Sequence, residues 1–180
     1  MAVQNFLPGQ ILTAADTNTY LANSGLVYIG SLTMAGASSG SFTNCFSSTY
    51  DNYFVTFAMS PTPGGSIVQT TLLSGGTPAT TNYYSYESGN TWAGTADVTA
   101  NPSTSYWFGL RSANYIFATM NIFQPYTANY TSFSSEGIDD TQSWQARGVH
   151  KTASSFDGIR FYDASGNMTG IATCYGYRKA

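Results

Sequence analysis

Charge is what this chain has least of. Six of its 180 residues are Lys or Arg and nine are Asp or Glu, 8% in all, where an average soluble domain carries about 25%. The basic residues form no tract, and their one adjacent pair is Arg178-Lys179 at the C-terminus. Binding to nucleic acid through phosphate neutralisation therefore has almost nothing to work with. Histidine is represented by His150 alone and cysteine by Cys45 and Cys174, too few for a His/Cys metal cluster at ligand spacing. No apolar run reaches the length of a membrane span, and the start, Met1-Ala2-Val3-Gln4-Asn5-Phe6, has no basic region of the kind that opens a secretion signal. Synthesis in a cytoplasm and no membrane insertion are the expectations.

In place of charge the chain has rings and small polar groups. Aromatics make up 16% of it, with 14 Tyr and 11 Phe. Its polar surface must be built mainly from Ser, Thr, Asn, Gln and Tyr. Ordering the short members of that set costs little side-chain entropy. Protein interfaces are depleted in Lys and Glu and enriched in Tyr, Trp, Phe and Met, so the balance favours a subunit that hides surface in an assembly over a neutral monomer. A chain of this length fits one domain and can bury roughly 70% of the surface it exposes when unfolded. Neither disulfides nor metals are then needed, and two buried free thiols are expected rather than a bridge.

The first 25 residues differ from the rest. Phe6-Leu7-Pro8-Gly9-Gln10 reads as an extended arm with a turn, and Thr13-Ala14-Ala15-Asp16 has the form of a capping box. A short helix is predicted from there to about Asn23, with Gly25 as its stop. From Leu26 onward, period-two alternation predicts strands at Val27–Leu32, Asn52–Met59, Ile67–Leu73, Tyr115–Phe123, Tyr126–Phe133, Ser143–His150, Phe156–Tyr162 and Met168–Tyr177. The run Tyr115–Phe123 is apolar on both faces at several steps, as a central strand would be. Turn signals punctuate the strands at 61–65, 74–78, 88–90 and 164–167. Roughly eight such strands predict an all-β fold, an antiparallel β-sandwich of jelly-roll-like type, over residues 26–180, preceded by the N-terminal arm and short helix of residues 1–25.

The stretch from Ser74 to about Ser112 is the least regular, yet it holds Tyr83, Tyr84, Tyr86, Trp92, Tyr106 and Trp107. Exposed rings among small polar residues form rigid, neutral contact surfaces, so these six are candidates for receptor or subunit contact. Covering an open end of the sandwich is the competing role. Catalytic groups are scarce. Period two puts His150 on one face with Trp144 and Ala146, a structural setting, and no Gly-x-Ser-x-Gly elbow marks a nucleophile. Glu136, Asp139 and Asp140 are the one acidic cluster, and a solvated turn explains it better than a calcium loop. None of the carboxylates stands in a glycosidase pattern, and no phosphate-binding glycine loop is present. The sequence predicts no catalytic residue, cofactor or metal, and a protein that is not an enzyme.

Two ends of the chain carry a family likeness. Phe6 to Asn18, FLPGQILTAADTN, resembles the opening F-x-x-G-x-x-L-T-A-A-x-x-N of many small bacteriophage tail and tail-fibre proteins. Phe46 to Tyr53, FSSTYDNY, is similar to an F-S-S-x-Y-D-N-Y segment of the same minor tail proteins, and Phe156–Tyr162 and Tyr175–Lys179 resemble their closing strands. The resemblance covers about half the chain and leaves 60–115 unmatched. It implies a virion protein of the tail, a homotrimer, with other virion proteins and a host-surface glycan or protein as further partners. The N-terminal arm would dock it to the particle through Phe6, Leu7, Leu12, Tyr20 and Leu21. A capsid decoration or cement protein is the alternative, and a carbohydrate-binding module a more distant one.

Overall fold

A computed structural model describes residues 25–62, 67–111 and 114–179, together with Gly9, Ile11 and Thr13. The predicted arm and short helix, with the docking candidates Phe6, Leu7, Leu12, Tyr20 and Leu21, lie outside the described residues. Within them there are thirteen strands and no helix: β1 Leu26–Ala37, β2 Ser39–Phe42, β3 Asn52–Thr62, β4 Ile67–Ser74, β5 Thr77–Pro78, β6 Tyr83–Thr91, β7 Ala96–Thr104, β8 Trp107–Arg111, β9 Ile116–Phe123, β10 Thr131–Asp139, β11 Gln142–His150, β12 Gly158–Asp163 and β13 Asn167–Tyr177. An eight-stranded sheet runs β1-β13-β3-β9-β10-β11-β6-β7. A smaller sheet runs β2-β12-β4, and the far edge of β4 is shared by β5 at one end and β8 at the other. The described pairings are antiparallel, and the two sheets pack as the predicted sandwich.

Three sequence expectations are corrected here. Residues 126–130 are a turn, so the strand predicted at Tyr126–Phe133 begins at Thr131 and continues to Asp139. The irregular middle is mostly sheet, supplying β6, β7 and β8. The expected turn at Ser88-Gly89-Asn90 lies inside β6. Gly89 is there for packing: it pairs with Trp144 on β11, which pairs on its other side with Gly137 on β10. A Cβ on Gly137 would come within 2.5 Å of the Trp144 ring, and one on Gly89 within 3.1 Å of the Trp144 Cβ. The absence of a side chain on both neighbours lets an indole lie across the strands. Gly148 plays the same part for Phe133, the residue it pairs with.

These rings fill the space between the sheets. Phe57 of β3 meets Phe161 of β12 at 4.7 Å between centroids, edge to face. Trp107 of β8 lies 4.5 Å from Phe133 of β10 and 5.4 Å from Tyr83 of β6. Each buried ring of this kind removes roughly 150–250 Å² from water. Around them pack Val55, Met59, Ile116, Met120, Ile122, Val68, Leu72 and Ile159. One polar bond crosses the core as well. Leu72 of β4 directs its backbone toward the edge where β8 has ended and β5 has barely begun. Its carbonyl accepts from the Ala79 amide at 2.9 Å, and its amide donates to the Tyr83 hydroxyl at 2.9 Å. A tyrosine of the large sheet thus completes a ladder position of the small one.

Two substitutions test this packing. Gly148→Ala places a methyl against the Phe133 ring and is expected to cost about 1–3 kcal/mol, read as a lower urea midpoint at unchanged slope. Tyr83→Phe keeps the ring but leaves the buried Leu72 amide unpaired, at a cost of about 1–3 kcal/mol. A midpoint equal to that of the unsubstituted protein would show that the amide finds another acceptor.

Candidate functional site

The alternation that sends one side of each strand inward sends the other side out, and on the eight-stranded sheet that outer side is broad. No described residue covers it. Along β9, Ile116, Ala118, Met120 and Ile122 are buried, while Phe117 is 56% and Phe123 38% exposed. The central strand predicted to be apolar on both faces is therefore central in order but covered on one face only. Exposed Ile138 on β10, Tyr86 on β6, Val98 on β7, Ile171 and Tyr177 on β13 and Tyr28 on β1 continue the same surface. Between them stand Ser, Thr, Asn and Gln side chains. Glu136 on β10 and Arg147 on β11 are the charged side chains that the described strands send to this face, and both are exposed.

The pleat divides the face into shallow troughs that run across the strands. One, of about 560 Å³, lies over the backbone of Ala118, Gly137 and Trp144 between walls that include Phe117, Ile138, Thr119 and Glu136. A second, of about 530 Å³, lies over Ser85 and Gly148 among Tyr84, Tyr86, Ala100, Arg147 and Val149. Between these is a polar hollow of about 160 Å³ lined by Thr119, Asn121, Ser134, Glu136, Gln145 and Arg147. Toward the chain termini the face turns aromatic. Tyr175 lies 6.1 Å from Tyr28 and 6.3 Å from Phe54, and the Tyr177 hydroxyl donates to Asn121 Oδ1 at 2.6 Å. The arrangement suits a flat, neutral partner. No acid–base pair or ligand cage converges on it.

The six predicted contact residues do not form one site. Tyr83 and Trp107 are fully buried and pack in the core, the covering role weighed against contact. Tyr84 and Tyr86 stand on the outer face, with the Lys151 ammonium 3.9 Å from the Tyr84 ring centroid at its rim. Trp92, 61% exposed, sits in the β6–β7 turn, where its indole N–H donates to the Asp139 carbonyl at 3.3 Å. Tyr106 lies against Tyr162 of the small sheet, 6.4 Å away. Sequence reasoning missed Phe117, Ile138 and Val98. Their signal is visible in hindsight as apolar residues on the second face of strands whose first face already fills the core.

Several other titratable groups are tied into the fold. Asp139 Oδ1 accepts from the Thr141 amide and hydroxyl at 2.6 Å each and from the Gln142 amide at 2.9 Å, closing the β10–β11 turn. Asp140 accepts from Asn114, which lowers its pKa. Glu136 points elsewhere, so the acidic cluster of the sequence is dispersed, and no group of three His, Cys, Asp or Glu among the described residues could hold a metal. Cys45 lies in the loop after β2, buried beside Cys174 of β13. Both are free thiols. A hydrogen bond with Cys174 and burial hold the Cys45 thiol far above its usual pKa.

The sequence matches no protein-family model, and no curated protein is significantly similar to it.

His150 is a core ring, 4.6 Å from Tyr83 and 4.9 Å from Phe156. Burial lowers its pKa, against opposing hydrogen bonds with the backbone of Thr152 and Thr81. The unfolded chain therefore takes up the proton first as pH falls. The stability contributed by the neutral ring is fully present above about pH 6.5 and is lost as pH drops from there toward the folded-state value. Urea midpoints at pH 7.5 and 5.5 should differ more for the unsubstituted protein than for His150→Phe, and equal differences would assign the acid sensitivity to the carboxylates.

Proposed function

We propose that the chain is a non-enzymatic structural protein of a bacteriophage virion, a tail-fibre or minor tail subunit that works as a homo-oligomer. The observation that carries this reading is the broad, charge-poor outer face of the large sheet, with Phe117, Ile138, Tyr86 and Val98 exposed on it. A folded monomer that leaves so many apolar groups on one face is suited to an assembly. The resemblance to tail proteins supplies the kind of assembly. Its motif residues fall on framework positions. Phe46 meets Tyr53 at a tilt with centroids 4.6 Å apart, Tyr50 lies against the same ring and against Gly176, and Phe156 and Phe161 are buried. Such positions are what related proteins would keep while their surfaces diverge.

In this reading residues 1–25 attach the subunit to the particle, copies of the chain assemble, and the exposed ring of Trp92 in the β6–β7 turn meets the host surface. Location on the particle tests it. Labelled antibody on purified virions should decorate the tail. Label on the head would make the protein a capsid decoration subunit instead, and absence from particles would end the virion reading. Removal of residues 1–25 should leave a folded sandwich that no longer enters particles.

A further inference from the structure

The outer face of the eight-stranded sheet holds two opposite charges that no ion pair satisfies among the described residues. Glu136 pairs across the ladder with Gln145, and Ser134 with Arg147. Glu136 and Arg147 thus stand on adjacent strands, offset by two residues, a diagonal separation of about 7–8 Å. Both line the polar hollow at the middle of the face. Around them the surface is neutral, and its exposed apolar residues lie on both sides, Phe117 and Ile138 toward one end of the strands and Tyr86 toward the other.

We infer that this face is the surface on which a second copy of the same chain seats, with Glu136 of one copy against Arg147 of the next. The inference deepens the virion reading and rests on its oligomeric part. Three observations choose a second copy over another partner. First, a face that carries one cation and one anion close together complements itself. A two-fold axis that brings two such faces together can set each copy's Glu136 opposite the other's Arg147, and a partner with a net charge of either sign finds no match. Second, the size fits. Eight strands spaced about 4.8 Å apart and about eight residues long at about 3.3 Å each present about 1,000 Å², where a standard interface needs about 800 Å² from each side. Third, the composition is that of an interface centre, with Phe, Tyr, Ile and Val and no Lys, the depletion that distinguishes contact surfaces from free ones. The pleat supplies the fit, since the troughs beside Phe117 and Tyr86 can receive the ridges of a facing sheet, as in sandwich packing.

The experiment uses the full chain. Its mass is measured by light scattering on a sizing column and by sedimentation at about 1–100 µM, with circular dichroism to confirm folding. The unsubstituted chain should be oligomeric, and Phe117→Glu should be a folded monomer. Phe117 is exposed and leaves the core intact when changed. Glu136→Arg and Arg147→Glu should each raise the dissociation constant by about tenfold or more, and the double exchange should recover most of that loss. A chain that is monomeric at about 100 µM overturns the inference. So does an oligomer that Phe117→Glu leaves intact, or a double exchange as weak as the single changes. Antibody labelling of virions separates this outcome from the wider reading. Decorated particles with a Phe117→Glu oligomer unchanged reject the face but keep the virion subunit, whereas oligomers lost in Phe117→Glu but absent from particles keep the face and reject the virion.

Discussion

The packing of aromatic rings over strand glycines is the constraint on which the rest of this structure depends. Two sheets of unequal size can close on one another only if the space between them is filled to the density of a solid. Here Trp144, Phe133, Trp107, Phe57 and Phe161 do the filling. Rings that large cannot stand beside a Cβ on every neighbouring strand. Gly89, Gly137 and Gly148 remove the obstructing atoms at the points where Trp144 and Phe133 lie against the sheet. A strand glycine weakens its own ladder, and the buried ring offsets that loss.

The unequal size of the sheets has a second consequence. The small sheet occupies one side of the large one, and nothing described occupies the other. Eight strands that must alternate for the sake of their inner face present an outer face by necessity, and the sequence fills it mostly with Ser, Thr, Gln and scattered rings, with Glu136 and Arg147 as its charges. The low charge of the sequence therefore becomes a property of one surface. Two of the buried polar groups hold backbone, Tyr83 for Leu72 and Asp139 for the Thr141 turn.

Much of the architecture was legible from residue alternation. The strands predicted from Ile67, Ser143, Phe156 and Met168 fall within a residue or two of their predicted limits, and the one from Asn52 runs three residues past its predicted end. Errors arose where a local signal has two causes. Ser88-Gly89-Asn90 has turn composition, but its glycine answers to Trp144, a residue more than fifty positions away. Tyr126 to Tyr130 has strand composition and is a turn whose Tyr126 carbonyl accepts from the Ser155 hydroxyl at 2.6 Å. Both are cases in which a neighbour distant in sequence overrides local propensity. The candidate contact residues divided for the same reason. Composition collects Tyr83, Tyr84, Tyr86, Trp92, Tyr106 and Trp107 into one stretch, and the sheets send Tyr83 and Trp107 inward and Tyr86 and Trp92 outward.

The sequence by itself determined the fold class, the structural setting of His150 and the shortage of charge. Each follows from composition or from a period of two, and both are local properties of the chain. Only the tertiary structure decided which face of the large sheet is covered, that Cys45 lies beside Cys174, and that Glu136 and Arg147 line one hollow on an open surface. Those outcomes depend on strand order and register. Antiparallel strands with equivalent alternation can be ordered in many ways, and the pairing is fixed by which rings fit over which glycines across the whole sheet.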